Sequence, residues 1–81
     1  MFRSKQLWTV ALADRDEMWS VRASSPLGAA EAVALHLGAV ETREIDTVYF
    51  TATKKDPTGF FGGDSEITMR VHLAPEPLEG V

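Results

Sequence analysis

An α+β domain, built as a two-layer ββαββ sandwich with one helix on one face of a four-stranded antiparallel or mixed sheet, is the fold class this sequence predicts. Three observations predict it. Four stretches alternate apolar and polar residues with period two, one stretch carries an apolar stripe with period near 3.6, and the elements follow in the order β-β-α-β-β. Each strand has a single apolar face, so one helix can cover the sheet on one side and leave the other side bare.

The first strand is read from Gln6 to Ala13, with Trp8, Val10 and Leu12 on one side and Leu7, Thr9, Ala11 and Ala13 on the other. Met18 to Ala23 repeats the pattern: Trp19, Val21 and Ala23 oppose Met18, Ser20 and Arg22. Asp14-Arg15-Asp16-Glu17 between them supplies polar turn chemistry, so the pair reads as a hairpin. Ser25 followed by Pro26 is a helix start, because the serine oxygen accepts from an orphan N–H and proline fits the first helical position. Gly38 stops that helix. On a wheel of 100° per residue, Pro26, Leu27, Ala30, Val33, Ala34 and Leu37 share the expected core stripe, and Gly28, Glu31, Ala32, Leu35 and His36 lie opposite.

Glu41-Thr42-Arg43-Glu44 reads as a polar link. Alternation then returns, with Val48, Phe50 and Ala52 opposing Thr47, Tyr49, Thr51 and Thr53. The last strand, Glu66 to Leu73, sets Ile67, Met69, Val71 and Leu73 against Glu66, Thr68, Arg70 and His72. Residues 1–74 make the single domain, and 75–81, with two prolines and two acids, are expected to form an extended or frayed tail. One core is expected from Trp8, Val10, Leu12, Trp19, Val21, Val33, Leu37, Val48, Phe50, Ile67, Met69 and Val71.

Eighty-one residues support one core of modest stability, and a composition of 44% hydrophobic and 25% charged residues is that of a folded chain. The absence of cysteine removes disulfides, thiolate metal sites and a cysteine nucleophile together. The opening stretch has no convincing signal-peptide pattern and no run reaches the ~20 apolar residues of a membrane span, so a cytoplasmic protein with no membrane partner is expected. Eight basic against twelve acidic residues give a net charge of −4, the wrong sign for a protein that binds phosphates by counterion release.

No catalytic, cofactor-binding or metal-binding residue is assigned. His36 and His72 come with no nucleophile at a diagnostic spacing, although His72 near Tyr49 or Glu66 is the place where an acid or base would be sought. The run from Asp14 to Glu17 lacks the glycine and the glutamate that a calcium loop needs at its sixth and twelfth positions. Gly59-Phe60-Phe61-Gly62-Gly63 lacks the lysine and the following helix of a phosphate loop.

Interaction surfaces are more legible. The bare sheet face offers Tyr49, Arg22 and Arg70, residue types enriched at binding hot spots. Residues 55 to 64 form a connection too long for a tight hairpin, and Phe60 and Phe61 within it are candidate anchors for a protein partner. Gly28 and Ala32, small and four apart beside Leu35, suggest self-association through the outer helix surface. The expected function is therefore a small non-enzymatic protein-binding domain, a regulator, inhibitor or accessory subunit of a larger complex, with a homodimer among its forms. The alternative is a nucleic-acid-binding module that stacks a base on Tyr49 beside Arg22 and Arg70, and a continuous basic stripe through Arg22, Arg70, Lys54 and Lys55 would favour it.

Overall fold

A computed structural model describes residues 4–55 and 64–74. Phe60, Phe61 and the expected tail 75–81 lie outside these described residues. The chain runs β1 (Gln6–Leu12), β2 (Met18–Ala23), α1 (Pro26–His36), β3 (Ala39–Glu44), β4 (Tyr49–Lys54) and β5 (Ser65–Leu73). The α+β class with one helix and an antiparallel sheet is as expected, but the sheet has five strands rather than four, in the order β2-β1-β5-β4-β3.

The extra strand is the segment read as a polar link. Val40 pairs with Thr53 and Arg43 with Thr51, so Glu41 and Thr42 together oppose Ala52 in a bulge, and Glu41 has φ 57°. A bulge shifts the side-chain phase by one residue, which erases the period-two signal that marks the other strands. The two hairpins that remain behave as the alternation requires. Leu12 N–H bonds to Glu17 C=O at 3.2 Å to close the β1–β2 turn, and β4 pairs with β5 from Tyr49↔Arg70 to Lys54↔Ser65.

Ser25 caps the helix, its hydroxyl accepting from Gly28 N–H at 3.0 Å, with Pro26 at the first turn. Leu37 is the C-cap and Gly38 follows at φ 81°, a left-handed conformation that glycine adopts without strain. Because β2 and β3 are the two edges of the sheet, α1 carries the chain across β1, β5 and β4 from one edge to the other.

The core lies between the helix and one sheet face. Helix residues Ala29, Ala30, Val33 and Ala34 are buried against Trp8, Val10, Leu12, Phe50, Ala52, Met69 and Val71, with Trp19, Val21, Leu37 and Ile67 partly buried around them. Two expectations need correcting. The buried stripe of α1 includes Ala29 and leaves Leu27 38% exposed, because small alanines bring the helix close over the bulky sheet side chains and rotate its seat. Val48 is only half-buried, since it precedes β4 in the turn, where its carbonyl accepts from Val71 N–H at 2.8 Å. Trp8 adds a buried polar tie, its indole N–H donating to Ala23 C=O at 2.9 Å.

Candidate functional site

The face of the sheet turned away from α1 follows from the registers. Leu7, Thr9 and Ala11 of β1 stand opposite Arg22, Ser20 and Met18 of β2, and Thr9 and Ala11 stand opposite His72 and Arg70 of β5. Tyr49, Thr51 and Thr53 of β4 then face Arg70, Thr68 and Glu66, while Arg43 of β3 faces Thr51. One transverse row therefore reads Met18, Ala11, Arg70, Tyr49. Adjacent strands lie about 4.8 Å apart, so these four side chains form a compact line across the sheet.

Within that row Tyr49 is 39% and Met18 73% exposed, and a shallow groove of about 270 Å³ lies between Tyr49 and Arg70 on one side and Ala11 to Ala13 on the other. The neighbouring rows are rich in threonine, which suits a pleated surface. Arg43 and Glu66 form an ion pair at 3.6 Å. As Arg43 is on β3 and Glu66 on β5, the pair straddles β4. Thr51, opposite Arg43 on one side and Thr68 on the other, is 4% exposed, and its Oγ1 has no hydrogen-bond partner among the described residues.

The charge of this face differs from that of the chain. Among the described strand residues, Arg22, Arg43 and Arg70 stand on it with His72 against one acid, Glu66, although the protein carries a net charge of −4. Of the other described acids, Asp14, Asp16 and Glu17 are in the β1–β2 turn, Glu31 on the helix, Glu41, Glu44 and Asp46 on the β3 edge and its turn, and Asp64 just before β5.

Of the residues singled out from sequence, Tyr49 and Arg70 are direct cross-strand neighbours. Arg22 shares their face but stands on the far edge strand, opposite Leu7. Arg43 was missed, because it belongs to the bulged strand whose alternation is broken. His72 lies opposite Thr9, in a different row from Tyr49, and Glu66 is six residues away along the same strand. His36 sits against Trp19 edge-to-face, ring centroids 4.9 Å apart. On the helix, Ala32 and Leu35 are exposed, Leu35 by 72%. Gly28 faces inward instead: a Cβ there would meet Ser25 Oγ at 3.2 Å and Ala23 Cβ at 3.6 Å.

Lys54 ends β4 and Lys55 follows it. Both line a different cavity of about 340 Å³ at the end of the sandwich, with an apolar floor of Leu12, Leu37 and Ile67, and Lys55 pairs with Asp64 at 3.3 Å. Lys54 falls in the strand phase of the buried Phe50 and Ala52, so it does not continue a stripe through Arg22 and Arg70. Among the described residues no three of His, Asp and Glu gather as a metal site, and no helix is long and apolar enough to cross a membrane. No protein-family model matches the chain, and no curated protein or solved structure matches it either.

Proposed function

We propose that this chain is a small non-enzymatic protein-binding domain, a regulator, inhibitor or accessory subunit, whose docking surface is the sheet face opposite the helix and whose partner presents an acidic surface. The observation that carries this reading is the juxtaposition of Tyr49 and Arg70 on a face that also holds Arg22 and Arg43 in an otherwise acidic chain. Arginine and tyrosine supply most of the energy at many interfaces, since each buries a large apolar body while keeping a directional polar tip. A cluster of arginines on one face steers an acidic partner to that face.

Nucleic acid is the competing ligand. Stacking modules engage successive bases on several aromatics, whereas Tyr49 is the one aromatic that the described strands place on this face, and Lys54 falls in the phase of Phe50 and Ala52 on its other side. The test is affinity capture from native cell extract by wild type and by a Tyr49→Ala, Arg70→Glu double variant, with and without nuclease. Stoichiometric capture of one acidic protein by wild type, lost in the variant at unchanged melting temperature and indifferent to nuclease, is the expected result. Equal capture by both proteins overturns the assignment of the face. Capture abolished by nuclease supports the nucleic-acid alternative.

A further inference from the structure

The two edges of the sheet are built differently. Edge β3, AVETRE, carries a bulge, a left-handed Glu41 and charges at Glu41, Arg43 and Glu44, which are the devices that keep a strand edge from pairing with another chain. Edge β2, MWSVRA, has a continuous register with β1 from Ala11↔Met18 to Gln6↔Ala23, and it contains no proline, glycine, lysine or acid. Among the described residues no strand pairs with its outer side.

The hydrogen-bond phase of that outer side follows from the ladder. Leu12 N–H bonds to Glu17 C=O, whereas Ala13 N–H bonds to Thr68 C=O and Ala74 N–H to Leu7 C=O. Even-numbered residues of β1 therefore bond toward β2 and odd-numbered ones toward β5. It follows that Trp19, Val21 and Ala23 spend their backbone groups on β1, while the N–H and C=O groups of Met18, Ser20 and Arg22 point outward from the sheet.

We propose that β2 is the site at which a second copy of this chain adds antiparallel, edge to edge, making a closed two-fold dimer in which the two five-stranded sheets become one. With Ser20 opposite Ser20 of the second copy, each outward amide and carbonyl of Met18, Ser20 and Arg22 finds a counterpart. Met18 then stands opposite Arg22 of the second copy, so an exposed apolar side chain meets an arginine stem, and Trp19 stands opposite Val21 on the core side. The like-charged arginines are kept apart. Both helices lie on the same side, and the two arginine-bearing faces become continuous.

The protected β3 edge is what makes the second copy the fitting occupant. A β2-to-β3 contact would be head to tail and would propagate into a filament, whereas β2-to-β2 pairing uses one surface twice and closes. This inference is independent of the function proposed above, because it concerns the edge of the sheet rather than its face.

Sedimentation of the full chain at micromolar concentration is expected to give twice the chain mass of 8.9 kDa. Ser20→Pro removes an outward N–H that β1 does not use, and should weaken the dimer by about tenfold or more with unchanged circular dichroism. Should that variant fail to fold, Ser20→Cys decides: the chain has no cysteine of its own, so any disulfide under mild diamide oxidation joins two copies at this position. A covalent dimer formed in high yield by the native Ser20→Cys protein, and not in denaturant, is the expected outcome. A monomeric wild type, a dimer indifferent to Ser20→Pro, or an open-ended polymer overturns the proposal, the last because it would require β3 to pair as well.

Discussion

Thr51 shows how a single side chain reports on its surroundings. It belongs by alternation to the face away from the helix, between the buried Phe50 and Ala52, and would ordinarily be wet. It stands inside the sheet, with Arg43 of β3 opposite it on one side and Thr68 of β5 on the other, and is buried with a hydroxyl that has no partner among the described residues. A buried, unpaired hydroxyl costs on the order of 1–3 kcal/mol in mutational series. Thr51→Val keeps the shape and β-branching and removes that group, so it should raise stability by about 1 kcal/mol in urea unfolding. A loss of stability would mean that Oγ1 is hydrogen-bonded after all. Nothing in the sequence marks this threonine apart from Thr53 or Thr68, because its burial depends on the strands that flank β4, one of which is the bulged strand whose alternation is broken.

At the scale of the element, legibility tracked the regularity of the backbone. β1, β2, β4 and β5 kept period two and were readable, and the helix was framed by Ser25-Pro26 and Gly38 because capping chemistry is local. β3 was hidden for the same physical reason that it is protected: the residue inserted at Glu41-Thr42 breaks both the alternation and the flat edge. Which helix residues face the sheet was only partly legible. The wheel gave Ala30, Val33, Ala34 and Leu37, but the seat of the helix is set by Phe50, Met69 and Trp8 beneath it, which a wheel does not contain. The bulge itself is open to test. A non-glycine residue at φ 57° bears roughly 1–2 kcal/mol of strain, more when it is β-branched. Glu41→Gly should therefore stabilise by about 0.5–1 kcal/mol and Glu41→Val destabilise by about 1–2 kcal/mol in the same unfolding assay. Equal stability of all three proteins would show that residue 41 is not held in the left-handed region in solution.

For the molecule as a whole, strand order decides what each apolar residue contributes. Alternation alone makes Trp19 and Phe50 equivalent members of one core, and the expected order of loss on truncation could not be separated. The sheet order separates them. Phe50 is on β4, flanked by β5 and β3 and covered by the helix, and is fully buried, whereas Trp19 is on the edge strand, half-buried, with an indole N–H lacking a partner and an exposed His36 against its ring. Truncating a fully buried phenylalanine costs about 3–5 kcal/mol from lost transfer energy and the cavity left behind. A domain of this size draws only roughly 3–5 kcal/mol from its single core, so that cost is comparable with the whole. Phe50→Ala should accordingly be largely unfolded at room temperature. Trp19→Ala forfeits less burial, relieves an unpaired donor and leaves solvent rather than a sealed void, so it should remain folded with a lowered urea midpoint. Circular dichroism and urea titration of the two variants check this directly. A Trp19→Ala protein as unfolded as Phe50→Ala would mean that β2 is an interior strand in solution, its outer side already covered, which is the state the paired edge would produce.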